Sequence, residues 1–466
     1  MSPARHSLPV TKTYTHLHIS SREIFHLTWP QLLMMCFQFL VGLTDVWVAG
    51  QIHRDVQAVL GLITQCQFLL LIVGVSAANA SVAAMSQSLG ADLPNRARRY
   101  AGLICKIGLT FAFVVLAFAL LLRAPLLRLM QVPEEIRPLA IDFWQVFLLV
   151  LPSHYLLAMT GAIFRAHKWV YVPLFTAFAS FAVNAFASTG FGLGWWGFPC
   201  LGARGIAYAT LFSVTSMALI NLCVLIRRKV LIKAAFAPWK WDKRALPYLI
   251  RVALPTGAMQ FSWQLGYLVL FTLVASLPFD RVNALAGMAA GMRLESMLFL
   301  PAVAFNMTGA MLIGHLLGAG EKEEAKRVGW KIIASGALLM SIAALLLWPF
   351  LQNLAAFIAP DPGAREHALI YLRYNLLATP CSVTSMCLGG IMTGAGAALY
   401  TFGVFSIAVW AVRLPLAYLF GHFIWQSSEG VFMGMLVSQI FQSGLMLYIF
   451  QNRNWSRFAM IHRHKH

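Results

Sequence analysis

Twelve separate stretches of this 466-residue chain stay apolar for about 20 residues or more. A helix rises about 1.5 Å per residue, so each stretch is long enough to cross the roughly 30 Å of hydrocarbon in a bilayer. In hydrocarbon every backbone N–H and C=O must be paired within the protein, which leaves helices as the natural way for such runs to span. The runs fall near 26–50, 58–85, 101–122, 139–163, 172–195, 204–226, 253–277, 284–314, 329–351, 368–392, 399–421 and 428–451. Hydrophobic residues make up 59% of the chain and charged ones 11%, a balance foreign to water-soluble domains. The expected fold class is an all-α integral membrane protein with 12 transmembrane helices. The polar, basic stretch before the first run lacks the h-region and cleavage site of a signal peptide.

The chain also repeats itself. Leu89-Gly90-Ala91, followed by Ala97-Arg98-Arg99, returns as Leu317-Gly318-Ala319 followed by Ala325-Lys326-Arg327, an offset of 228 residues. The same offset carries Pro152 onto Pro380 and Gly161 onto Gly389, and a slip of three carries Pro30 onto Pro255. Six spans per half is an even number, so both halves enter the membrane in the same direction as a parallel repeat. This predicts an N-lobe over 1–226, a cytoplasmic interfacial linker over 227–252 and a C-lobe over 253–466, surrounding a central cavity. Transporters commonly have this plan, with sites near the midplane between repeats and alternating access by rocking of one bundle against the other.

Lys and Arg near span ends tend to remain cytoplasmic. Alternate loops are rich in them: Arg5, Lys12 and Arg22; Arg96, Arg98 and Arg99; Arg165 and Lys168; the run from Arg227 to Arg251; Lys322, Lys326, Arg327 and Lys331; and Arg453, Arg457, Arg463 and Lys465. The other loops hold Arg54, Arg123, Arg128, Arg137, Arg204, Arg281, Arg365 and Arg373, diluted by acids that include Asp55, Glu134, Glu135, Asp280 and Glu429. Both termini are expected in the cytoplasm and the protein in the bacterial inner membrane. The net charge of +19 is spread over loops beside spans, where anionic lipid is a simpler partner than nucleic acid. No nucleic-acid partner is expected.

The seven cysteines lack CxxC spacing and read as small apolar residues, and the His-Arg-His-Lys-His ending offers no closed metal site. No cofactor is expected. Short loops leave no place for a phosphate-binding G-x-x-x-x-G-K-[ST] loop, which argues against transport driven by the chain's own ATP hydrolysis. Nor do the histidines form the clusters that a membrane-embedded enzyme would need.

A charge at the bilayer centre costs about 3 kcal/mol on insertion scales, so intramembrane acids are candidates for function. Two acids lie deep: Asp45 in the first span, toward its outer half, and Glu295 in the eighth. The repeat sets Asp45 against Leu270 and Glu295 against Gln67, so neither is part of the duplicated scaffold. A carboxylate isolated from water can take up a proton and release it when a cation or water arrives, the chemistry of a proton-coupled antiporter. Structural alternatives are a bond from Asp45 to Thr44 and a pairing of Glu295 with Arg413. Asn184 and Ser188, four apart in the fifth span, share a helix face and are polar partners for a site or for helix packing.

The ordered motifs carry a resemblance. Pro30 with Asp45, Ser86-Gln-Ser-Leu-Gly-Ala91, Pro152, Asn184, Leu201-Gly-Ala-Arg-Gly-Ile-Ala-Tyr-Ala-Thr210, Pro255, Arg293-Leu-Glu-Ser296 with Pro301, Gly314-His-Leu-Leu-Gly-Ala-Gly320, Gly394-Ala-Gly396 and Val412-Arg-Leu-Pro-Leu-Ala-Tyr418 together resemble the multidrug and toxic compound extrusion (MATE) family. The resemblance implies two six-helix lobes around a cavity and export of amphipathic, often cationic, small organic molecules in exchange for H⁺ or Na⁺. Asp45 stands where DinF-like bacterial members carry a first-span aspartate linked to cation coupling, and Asn184 matches an asparagine of the same site. Ser188 replaces an acid of those relatives. Trp263 stands where NorM-like members have a seventh-span acid, and their tenth-span aspartate aligns with Ala397. A DinF-like protein coupled to H⁺ rather than Na⁺ is therefore expected, with Glu295 as the C-lobe acid.

Gln38, Gln67, Phe143, Gln260, Trp263, Gln264 and Met292 are the candidate lining of the substrate cavity, since aromatic faces attract organic cations and methionines adapt to varied shapes. The protein is expected to act as a monomer. The competing reading is a flippase for a lipid-linked precursor, which would want a strongly cationic cavity, and here Arg293 and Arg413 are its only candidates.

Overall fold

The computed structural model describes residues 19–122, 125, 134 and 136–460. Arg5, Lys12, Arg123, Arg128, Glu135 and the tail from His462 to His466 lie outside the described residues. Among the described residues, 12 helices are long and apolar enough to cross a membrane. The first half contains α1 Ser21–Ile52, α2 Arg54–Gly90, α3 Pro94–Leu121, the pair α4 Arg137–Leu149 and α5 Leu151–Ala166, α6 Tyr171–Leu193 and α7 Ala203–Arg227. The second half contains α8 Trp239–Ala275, α9 Arg281–Leu298, α10 Leu300–Gly318, α11 Lys322–Leu347 with its short continuation α12 Leu351–Ile358, and α13 Pro362–Gly394. It closes with α14 Ala398–Ser406, α15 Leu414–Tyr418 and α16 Ser428–Asn452.

Proline placement explains where spans bend. Proline has no N–H to donate and its ring collides with the carbonyl four residues earlier. The fourth span therefore restarts at Leu151-Pro152 and the eighth, expected as one run over 284–314, restarts at Leu300-Pro301. Pro30, Pro255 and Pro380 are instead accommodated inside continuous helices. The eleventh crossing, Ala398–Ile424, contains two wide π-type segments, Ile407–Arg413 and Leu419–Ile424, the first of which ends on Arg413. The stretch expected as an interfacial linker is helical from Trp239 onward, as the first turns of α8.

The core is continuous at one end of the molecule and divided at the other. One cluster joins both halves, running from Ile24, Met85, Tyr100 and Phe164 to Met311, Leu316, Ile391 and Trp455. A second cluster, with Val48, Ile63, Phe143 and Ile206, belongs to the first half alone, and a third, with Tyr267, Met288, Tyr371 and Phe432, to the second half alone. The halves are thus fused at one end and parted at the other.

Repeat symmetry accounts for the fused end. A Cβ on Gly90 would lie 2.0 Å from the His315 carbonyl oxygen, and one on Gly318 would lie 2.1 Å from the Gln87 carbonyl oxygen, so α2 and α10 cross backbone to backbone at the two glycines of the duplicated motif. Gln87 Nε2 donates to the Gly394 carbonyl at 2.7 Å and His315 Nε2 meets the Ala166 carbonyl at 2.8 Å. Gln87 and His315 are 228 residues apart, as are Ala166 and Gly394. Each half thus clasps the other in the same way. Thr28 and Gln31 bond Thr308 at 2.9 Å each, Lys331 Nζ donates to the Ile19 carbonyl at 2.8 Å, and the Met460 N–H donates to Gln87 Oε1 at 2.8 Å. Both described chain ends therefore lie at the fused end.

Candidate functional site

Asp45 sits on α1 where that helix packs against α6, and it is 5% exposed. Small residues bring the helices together. A Cβ on Gly205 of α7 would lie 2.3 Å from the Phe191 carbonyl oxygen of α6, and one on Gly192 of α6 would lie 2.8 Å from Val48 of α1. This close approach lets three short polar side chains converge on the carboxylate. Ser188 Oγ donates to Asp45 Oδ1 at 2.9 Å and Thr210 Oγ1 to Asp45 Oδ2 at 3.0 Å, while Asn184 Nδ2 donates to Thr210 Oγ1 at 3.2 Å. Asn184 and Ser188 are fully buried, and Asn184 Oδ1 has no protein partner. Among the described residues no Lys, Arg or His forms an ion pair with Asp45. Thr44 does not reach it, because its hydroxyl donates to the Leu40 carbonyl at 2.9 Å.

The arrangement is an acid held by two hydroxyl donors in an apolar lobe, with no counter-charge among the described residues. The structure brings together the sequence-derived trio Asp45, Asn184 and Ser188 and adds Thr210, which sequence reading had placed only as the last residue of a motif. No signal in the sequence singled it out, because Tyr208, Ser213, Thr215 and Ser216 are hydroxyl-bearing residues of the same span. No group of three or more His, Cys, Asp or Glu suited to a metal ion occurs among the described residues.

Glu295 occupies the other lobe. It lies on α9, half-buried, and accepts a hydrogen bond from the Tyr371 hydroxyl of α13. Tyr371, Tyr374, Asn375, Ser382 and Gln439 line a small polar pocket with it. Arg413 does not form an ion pair with Glu295 among the described residues. It is 1% exposed, donates from Nε to Ser438 Oγ at 3.0 Å, and lies over the rings of Trp263 at 4.7 Å and Tyr267 at 5.7 Å. Tyr371 and Asn375 were not foreseen, although their four-residue spacing puts both on one face of α13.

The candidate cavity residues separate into two groups. Gln38 is exposed, and Gln260, Trp263, Gln264 and Met292 are half-buried. Phe143 packs edge-on against Phe147 at 5.3 Å between ring centres inside the core of the first half, and Gln67 is buried in α2. In this conformation Phe143 is part of the apolar cluster of the first half, and both side chains are buried. Ala397, aligned above with a tenth-span acid, lies just after α13, in the turn before α14.

The MatE family profile matches residues 30–188 and 255–419, one block in each half of the repeat. A probable multidrug resistance protein NorM of Thermotoga maritima is 23% identical over 449 residues, covering 95% of both chains. The multidrug resistance protein PmpM of Pseudomonas aeruginosa is 23% identical, covering 95% of this chain and 93% of its own. Among solved structures, the Vibrio cholerae MATE transporter VcmN in its bent form superposes with a TM-score of 0.85 at 21% identity, over 94% of this chain and 98% of its own. A Pyrococcus furiosus transporter of the MOP superfamily superposes with a TM-score of 0.86 at 17% identity, over 95% and 97%. The fold is the same in each.

Proposed function

The chain belongs to the MatE family of membrane transporters, and on that premise we propose that it is a proton-coupled secondary antiporter that exports amphipathic, often cationic, organic compounds by alternating access. Asp45 is the coupling carboxylate, assisted by Asn184, Ser188 and Thr210. The observation that carries this reading is a buried carboxylate, 5% exposed, with two hydroxyl donors and no basic partner. Leaving such a charge uncompensated costs several kcal/mol, on the order of what breaking a buried ion pair costs, and a bound proton removes that cost without further ligands. A Na⁺ ion would need several oxygens turned toward it. Here the carboxylate has the Ser188 and Thr210 hydroxyls at 2.9 and 3.0 Å, and Thr210 Oγ1 also lies 3.1 Å from the Ile206 carbonyl of its own helix.

In the proposed cycle the state seen here is outward-open, sealed at the end that holds both described chain ends and the described basic loops, with the protein in the bacterial inner membrane and both termini cytoplasmic. A proton entering through the parted end neutralises Asp45 as the organic cation held in the cleft leaves to the outside, and after the lobes rock the proton is given up to the cytoplasm as the next cation binds. That rocking breaks the Gln87 and His315 clasps and opens the other face. The flippase alternative is less favoured because it wants a strongly cationic cavity, and with Arg413 buried over the Trp263 and Tyr267 rings only Arg293 of its two candidates is exposed.

Purified protein in liposomes loaded with a fluorescent organic cation tests the reading. Dye movement driven by an imposed proton gradient, absent with a sodium gradient and lost in Asp45→Asn, is the expected result. Full activity in Asp45→Asn, or drive by sodium alone, would refute it.

A further inference from the structure

The transport reading leaves one surface unused: the junction between the lobes over residues 227–251. It carries Arg227, Arg228, Lys229, Lys233, Lys240, Lys243, Arg244 and Arg251, all exposed, and a single acid, Asp242. That acid is turned inward, 4% exposed, and paired with Lys106 Nζ of α3 at 3.0 Å. Lys106 also caps the Ala237 carbonyl at 2.9 Å, Trp241 packs edge-on against Tyr100, and a Cβ on Gly102 would lie 2.1 Å from the Ala235 carbonyl oxygen. The junction is pinned to the N-lobe through its acid, and the charged side chains it exposes are all cations.

The same face marks its height in the membrane. Along α8 the buried positions are Asp242, Ala245, Leu249 and Val252, and the exposed ones begin with Trp239, Lys240, Lys243 and Arg244 and pass into Ile250, Leu254 and Phe261. Charge gives way to lipid-exposed apolar residues within about three turns, roughly 16 Å. The preceding helix, α7, shows the mirror order, exposed Leu219, Ile220 and Ile226 giving way to Arg227, Arg228 and Lys229. Phe236 and Trp239, 48% and 67% exposed, sit among the cations at the boundary, the position favoured by aromatic residues at membrane interfaces.

We propose that residues 227–251 form a docking site for anionic phospholipid headgroups at the seam between the two lobes, with Lys233, Lys240, Lys243 and Arg244 as headgroup ligands and Phe236 and Trp239 as interfacial anchors. The charge complementarity is local to the seam, because Asp242 is neutralised from within and no other acid offsets the cations.

Native mass spectrometry of the full chain in detergent with equimolar phosphatidylglycerol and phosphatidylcholine tests this. Wild-type protein is expected to retain phosphatidylglycerol preferentially. The variant Lys233→Gln/Lys240→Gln/Lys243→Gln/Arg244→Gln, altered only at exposed side chains, should lose about tenfold of that preference at an unchanged melting temperature. Lys322→Gln/Arg453→Gln, which removes basic charge elsewhere at the fused end, should leave it near the wild-type value. An unchanged preference in the fourfold variant would overturn the proposal, and so would an equal loss in the control pair, since that would mean general surface charge and no site.

Discussion

Substituting alanine at Gly90 tests whether the duplicated glycine pair sets the equilibrium between sealed and open states. The new methyl carbon would lie 2.0 Å from the His315 carbonyl oxygen, against about 3.4 Å for an ordinary contact, so α2 and α10 must separate by more than an ångström. Both partners are backbone in packed helices, and neither can rotate away. Overpacking of this kind costs about 1–3 kcal/mol. The strain exists only while the lobes are clasped, so it favours opening of this end by about 5- to 150-fold. It also strains the bonds from Gln87 to Gly394 and from His315 to Ala166, which depend on the same crossing. Spin labels at Asn95→Cys and Lys322→Cys, exposed on the two sides of the seam in a background lacking the native cysteines, report the distance across it by pulsed electron resonance. Gly90→Ala and Gly318→Ala should each populate a longer distance, while Gly403→Ala, with open space around its Cα, should not. Wild-type distances in both motif variants would refute the reasoning.

Thr210→Val removes the donor at 3.0 Å from Asp45 Oδ2 while preserving shape, and a bond to a charged group is worth about 1.5–3 kcal/mol, so initial rates of proton-driven dye export in liposomes should fall at least about tenfold. Lys106→Met leaves Asp242 buried without its cation and should lower the detergent melting temperature clearly more than Asp242→Asn, which removes charge and partner need together. At the parted end, the hydrogen bond from His367 Nε2 at 2.7 Å holds the Asp280 carboxyl below its ordinary range. A depressed carboxylate stabilises the fold above its unfolded value, about 3.9, and the contribution is lost as pH falls through the lower folded value. Asp280→Asn should therefore reduce thermal stability slightly at neutral pH and converge with wild type in acid, as followed by melting between pH 3 and 7.

Much of the site was legible because the membrane makes polar residues conspicuous. Asp45 stood out as a charge within an apolar run, and Asn184 and Ser188 as polar residues one helical turn apart. Thr210 escaped because a threonine in a span commonly bonds its own helix, as Thr44, Thr64 and Thr189 do here, and only the position of its helix turns it to the carboxylate. The burial of Phe143 in the first-half core was not legible for the complementary reason: an aromatic residue packs a core or lines a cleft with equal ease, and its own sequence neighbourhood does not distinguish the two. The eighth run read as one span because apolar length was counted without weighing Pro301, whose missing N–H divides the helix.

The sequence by itself determined that the chain crosses a membrane 12 times in two parallel repeats, because hydrocarbon demands helices of a set length and the offset of 228 recurs in glycine, proline and cations alike. It also determined which acids are costly enough to need a reason. Tertiary structure alone decided what surrounds them. Whether Asp45 meets hydroxyls or a cation, whether Arg413 faces a cleft or two aromatic rings, and which end of the lobes is clasped all depend on helix rotation and crossing. Those are set by contacts between residues more than a hundred positions apart, such as Gly90 with His315 and Ser188 with Asp45.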